Sequence, residues 1–158
     1  MKSNLVSKSE TAKVLGQINS QWKIKLPKQK NLKFHHINEN GIIITGDGIT
    51  AVKIADDILP FLDNISILEM FPNVMVDAGA IKFVCKGANV MRPGITKFSS
   101  FEKGQIVCVV EESQHKFLAV GKAEMSSEEM EETDKGMAVK NMHYISDDYW
   151  EAKKELKP

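Results

Sequence analysis

The sequence predicts an α+β protein: a small α+β domain over residues 1–71, a β-barrel of short strands with short helices over residues 72–150, and a tail over residues 151–158. Three observations lead there. A single apolar stripe at helical spacing near the N-terminus gives way to short apolar runs bounded by glycines. The pair Phe71-Pro72 then interrupts the chain. Beyond it, brief apolar stretches separated by glycine or polar turns recur as far as Tyr144, the pattern of a small barrel rather than of packed helices.

In the first half, Ser7 to Glu10 has capping-box spacing, and Val14, Leu15, Ile18 and Trp22 follow on one helical face, predicting a helix from about Ser9 to Gln21. Lys23 to Leu26 alternates polar and apolar before Pro27. Ile42 to Thr45, the turn Gly46-Asp47-Gly48 and Ile49 to Ile54 read as a hairpin. Ala55 to Leu62 is expected as a short helix. His35 and His36 are adjacent, so on a strand they point to opposite faces and are poorly placed to share a metal; a structural or surface role is expected.

In the second half, Val74 to Val76 alternates as a strand, and Asp77 stands where a carboxylate can cap a following helix. Gly79 and Ala80 keep its first turn bare. Ile81, Val84 and Cys85 are spaced to face a core, which leaves Lys82 and Lys86 together on the opposite face until Gly87 stops the helix. Gln105 to Glu111 and Lys116 to Lys122 predict an antiparallel pair. Ser126 and Glu129 have capping-box spacing for an acidic helix ending at Gly136, and Met137 to Tyr144 predicts the closing strand. Asp147 to Trp150 opens a final helical turn, with Trp150 expected to cover one end of the barrel.

Net charge is zero over 158 residues, but its distribution is uneven. Residues 1–33 hold eight lysines against the single acid Glu10, and residues 77–104 hold Lys82, Lys86, Arg92, Lys97 and Lys103 against Asp77 and Glu102. Acids gather instead at Glu111 and Glu112 and from Glu124 to Asp134. Such a distribution orients a molecule against a phosphate surface. The turn after Asp77 has the parts for this: helix-start N–H groups and the Lys82 and Lys86 ammoniums attract phosphate, and Gly87-Ala88 allows close approach of a nucleotide backbone. Arg92, the one arginine in the chain, precedes Pro93-Gly94 and offers a planar fork for a phosphate or a base.

The string from Val76 to Ile95, V-D-x-G-A-I-x-F-V-x-x-G-A-N-V-M-x-P-G-I, resembles the opening signature of the PUA domain, a small RNA-binding β-barrel. Ala119 to Trp150 narrows the likeness to the malignant T-cell-amplified sequence family, called translation machinery-associated protein in yeast, and its archaeal relatives. The resemblance implies a PUA-type barrel whose RNA surface is built from the helix after Asp77, the glycine turn behind it and a late strand, here part of Met137 to Tyr144. It also implies a protein that binds the small ribosomal subunit and acts with tRNA beside a partner carrying an initiation-factor-like domain. The first half resembles the family by length and element order, so partner contacts there are not carried over.

Catalysis finds little support. Cys85 and Cys108 lie in apolar strings without an activating context, and no CxxC pair suggests zinc or a disulfide framework. There is neither a P-loop nor a GxGxxG fingerprint, and no cofactor or metal is expected. No apolar run approaches the roughly 20 residues of a membrane span, and the N-terminus lacks an apolar signal region, so a cytoplasmic protein is expected. The reading is a non-catalytic RNA-binding protein of translation, in contact with rRNA or tRNA through Gly79, Ala80, Lys82, Lys86, Gly87, Ala88, Arg92, Pro93 and Gly94. The alternatives are an accessory RNA-binding subunit of a tRNA or rRNA modification enzyme, and a protein-protein adaptor holding a basic partner on the acidic helix.

Overall fold

A computed structural model describes residues 1–156. Strand β1 (Lys2–Leu5) and helix α1 (Lys8–Trp22) precede β2 (Lys33–His36), β3 (Gly41–Thr45), β4 (Thr50–Ile54) and β5 (Asp57–Pro60). The five strands form one antiparallel sheet in chain order. Ser7 caps α1 by accepting the Glu10 N–H at 3.2 Å, and Val14, Ile18 and Trp22, each four residues apart, turn one stripe into the core. The same helix closes one sheet edge. Gln21 Oε1 accepts the Ile58 N–H at 2.7 Å, and Trp22 Nε1 donates to the Ile58 carbonyl at 2.8 Å, so β5 offers no free ladder to another chain there.

The helix expected over Ala55 to Leu62 is instead a turn followed by β5. Ala55 takes the left-handed conformation at φ 55°, reversing the chain so that Val52 pairs with Leu59. Ile58 and Leu59 are both fully buried, and an apolar run covered on both faces has no periodicity to separate strand from helix. Pro60 ends the strand, where a missing N–H is tolerated.

After a one-turn helix α2 (Ile65–Leu68) come β6 (Asn73–Val76), a 3-10 turn at Ala78–Ala80, α3 (Ile81–Val84), β7 (Val90–Met91), a second 3-10 turn at Arg92–Gly94, and β8 (Ile95–Phe98). Then follow β9 (Ile106–Glu111), β10 (Lys116–Ala123), α4 (Ser127–Glu132), β11 (Met137–Tyr144) and α5 (Asp148–Glu155). The strands make a nearly closed mixed sheet in the order β7-β11-β10-β9-β6-β8. Strands β9, β10 and β11 run antiparallel as expected, whereas β6 lies parallel to β9, which only the long crossover through α3, β7 and β8 permits. The ladder between β10 and β11 shifts register at Gly121, where a Cβ would stand 1.9 Å from the Lys140 carbonyl oxygen.

A common core joins the halves. Ile106, Cys108, Val110, Val120 and Tyr149 pack into the cluster that holds Ile18, Trp22, Ile43 and Phe61. His143, fully buried in β11, accepts the Leu62 N–H through Nε2 at 3.2 Å, so its ring proton sits on Nδ1, 2.7 Å from Asp147 Oδ2. Asp147 in turn caps α5 by accepting the Trp150 N–H at 2.7 Å. Trp150 does not cover the barrel end. Its indole stacks on Phe61 of the first half at 6.3 Å, and so covers the junction. Residues 151–155, expected as tail, continue α5, whose Lys153 pairs with Asp63 at 2.9 Å; residues 157 and 158 lie outside the described residues.

Candidate nucleic-acid interface

The turn after β6 is shorter than its sequence suggests. One 3-10 turn and one α-turn replace the expected continuous helix, and Asp77, although at the N-cap, accepts no side-chain hydrogen bond. A single turn carries little dipole, so attraction for an anion there rests on side chains. Lys82 and Lys86 provide it: both are exposed, and neither is ion-paired among the described residues. Between them stands Phe83, with 57% of its surface open to solvent and the Lys82 ammonium 5.1 Å from its ring centre. Sequence reasoning missed Phe83, yet the signal was available: at about 100° per residue it falls nearest Lys86 and almost opposite Ile81 and Cys85.

Strand β11 holds this turn in place. Asn141 Nδ2 donates to the carbonyls of Val84 at 3.1 Å and Ala88 at 3.0 Å, its N–H is accepted by Asn89 Oδ1, and Ser146 Oγ donates to the Cys85 carbonyl at 2.8 Å. Gly87, at φ +94°, is where the chain leaves the helix, and the Tyr144 ring lies against it. Gly79 and Gly94 adopt no positive φ; Gly94 faces open space, whereas a Cβ on Gly79 would stand 3.2 Å from Asp77 Oδ1 and make that side chain shift. Gly79, Ala88, Pro93 and Gly94 are exposed, while Ala80 and Gly87 are half-buried.

Arg92 lies differently. It is half-buried, with Nε donating to the Met130 carbonyl at 2.7 Å, Nη1 to the Ile95 carbonyl at 3.3 Å, and the guanidinium 5.2 Å from the Phe98 ring centre. The carbonyl of Met130 belongs to the last turn of α4, where no intrahelical donor is available, so Arg92 satisfies a helix end. Two of its five N–H donors are thus held by the protein itself, while Nη2 has no protein partner among the described residues. Helix α4 keeps its capping box at Ser126 and Glu129 but stops at Glu132, short of Gly136, and its Glu128, Glu129, Glu131 and Glu132 are exposed.

The other polar groups have structural work. His35 is buried and hydrogen-bonded to Ser3 and Thr45, while exposed His36 bonds Asn4. Burial pushes the Cys85 thiol up and drives that of Cys108 to about 12, so both are weak nucleophiles at neutral pH. Among the described residues no cluster of His, Cys, Asp or Glu is arranged to hold a metal, and no helix is long and apolar enough to cross a membrane.

The family model of the PUA domain matches residues 72–145, the stretch that builds this barrel. Over 81% of this chain and 80% of its own length, an uncharacterized protein of Methanocaldococcus jannaschii is 38% identical. Translation machinery-associated protein 20 of Saccharomyces cerevisiae is 31% identical over 79% of this chain and 74% of its own. Malignant T-cell-amplified sequence 2 of Homo sapiens is 34% identical over 81% and 75%. A hypothetical protein of Pyrococcus horikoshii, of known crystal structure, superposes with a TM-score of 0.78 at 27% identity, covering 96% of this chain and 99% of that one. The chain belongs to the PUA-domain family of the malignant T-cell-amplified sequence and translation machinery-associated proteins.

Proposed function

We propose that this protein is a non-catalytic RNA-binding factor of translation, acting in the cytoplasm and docking on the small ribosomal subunit or on tRNA, beside an initiation-factor-like partner. The observation that carries the reading is the α3 turn: two exposed lysines, without acidic partners among the described residues, flank an exposed phenylalanine on a backbone fixed to β11. Two ammoniums suit phosphates, and an aromatic face between them suits a base. Gly79, Ala80, Gly87, Ala88, Pro93 and Gly94 frame the approach. Arg92 enters the reading as the residue that positions the neighbouring turn against α4, and not as a free phosphate fork.

Cosedimentation with purified small ribosomal subunits, run beside binding to free tRNA, tests this. In Lys82→Gln plus Lys86→Gln, affinity falls several-fold and the slope of log affinity against log salt drops by roughly 0.7 to 0.9 for each phosphate no longer neutralised. Binding to tRNA alone, sensitive to the same substitutions, would replace ribosome docking with the accessory role in RNA modification. Failure of the wild type to bind any RNA would leave the adaptor reading.

A further inference from the structure

Between α1 and β3 the chain carries five lysines, Lys23, Lys25, Lys28, Lys30 and Lys33, within eleven residues and with no acid among them. All five are exposed, and none is ion-paired among the described residues. Apart from Lys33, which opens β2, the stretch has no helix or strand, yet it is anchored along its length. Ile24 and Leu26 pack on the first core, and Gln29 and Leu32 are buried. Gln29 Nε2 also donates to the Asp47 carbonyl at 2.6 Å. Anchors and lysines interleave, so the backbone presents the cations at set places.

At its far end the stretch meets a cleft of about 470 Å3 bordered by Lys33, Lys153, His35, Thr45 and Thr50. Lys153 is paired with Asp63, whereas Lys33 has no acidic partner among the described residues. Lys33 therefore brings the cleft one cation with no ion pair among the described residues. Burial first, and then Lys33 and Lys153, hold the His35 imidazole below its ordinary value. Five lysines within eleven residues, with no acid among them, favour a polyanion that releases its own counterions on binding.

We infer that Lys23 to Lys33 and the cleft at its end form a second phosphate-binding face, on the first sheet, that takes the phosphodiester backbone of an RNA strand. A linear polyanion fits cations distributed along a fixed segment better than a compact anion does. The apolar residues Ile24 and Leu26 turn inward, so the face lacks the apolar wedge that would favour a lipid surface. The inference rests on the RNA-binding reading of the barrel, and extends the contact surface to the other half of the molecule.

The test uses the full chain and a single-stranded RNA of mixed sequence, about 20 nucleotides long, with fluorescence anisotropy at several salt concentrations. Replacing Lys23, Lys25, Lys28 and Lys30 by Gln is expected to lower the salt slope by roughly 2 to 3 units, at about 0.7 per phosphate on a single strand. A second variant with Lys8, Lys13, Lys103 and Lys135 changed to Gln removes the same charge from exposed positions elsewhere, and is expected to lower it by less than about 1 unit. Equal effects would reduce the face to net charge and overturn the inference. So would an unchanged slope in the first variant while Lys82→Gln plus Lys86→Gln still weakens binding, and the barrel reading would then stand alone. If the wild type binds no RNA, both fall. Unchanged thermal unfolding of each variant excludes misfolding as the cause.

Discussion

Two cationic turns lie a few residues apart on the barrel, on either side of β7, and their side chains have opposite fates. At the α3 turn, Lys82 and Lys86 stand free in solvent beside an exposed ring. At the turn from Arg92 to Gly94, the cation with the greater hydrogen-bonding capacity is bound to two main-chain carbonyls and packed over Phe98. Residue type is therefore a poor guide to which cation meets a ligand. A planar fork with several donors is well suited to gripping RNA, and equally suited to closing a helix end, because carbonyl oxygens near one another are bridged better by guanidinium than by ammonium. In this barrel the arginine builds and the lysines remain available.

The contrast between the two turns is most vulnerable to removal of the fork. Arg92→Met deletes two charge-assisted hydrogen bonds and leaves the Met130 carbonyl to find water at the end of α4, so stability in urea denaturation should fall by about 2 kcal/mol. Arg92→Lys should recover only part of it, since one ammonium does not reproduce the fork. At a temperature where both variants are folded, the salt slope of RNA binding should match that of the wild type. A slope lower by nearly one unit with unchanged stability would show Arg92 to be a phosphate ligand after all.

Phe83→Ala works in the other direction. The ring is more than half exposed, so its removal should leave stability within about 0.5 kcal/mol, the usual range for surface substitutions. If a base stacks on it, affinity for single-stranded RNA should fall by about 1 kcal/mol, near fivefold, with the salt slope unchanged because the ring neutralises no phosphate. Phe83→Tyr should bind like the wild type. Unchanged affinity in the alanine variant would leave the lysines alone to hold RNA at this turn.

Legibility follows the distance over which each feature is decided. The capping box at Ser126, the hairpin around Gly46 to Gly48, and the helix stop at Gly87 are fixed by neighbours within a few positions, and all three stand where expected. Strand β1 is not visible in the sequence because Lys2 to Leu5 is exposed throughout and shows no alternation; it exists by pairing with β2, some thirty residues on. The parallel placement of β6 beside β9 and the bond from Leu62 to His143 depend on chain segments that meet only after folding. At the site, the lysines are legible from helical spacing alone. The role of Arg92 is not, because the oxygen that occupies it belongs to Met130, and nothing in the local motif announces that partner.

The smallest effect concerns the lysines around His35, of which Lys153 is paired with Asp63 and Lys33 has no ion pair among the described residues. His35 lies among them in the first half, held below its ordinary value by burial first, then by Lys33 and Lys153. An imidazole with a lowered value in the folded state takes up its proton more readily when unfolded. Stability contributed by keeping it neutral is therefore present at high pH and declines as pH falls through the unfolded value, about 6.5, toward the lower folded one. Urea denaturation of the wild type and of His35→Asn between pH 8 and pH 5 should show a decline specific to the wild type, smaller in Lys33→Gln and smaller at high salt, where the lysine field is screened. A decline that ignores both Lys33 and salt would assign the shift to burial alone. The first-half lysines would then be too well solvated to act at this range, and the contrast between free and occupied cations would belong to the barrel only.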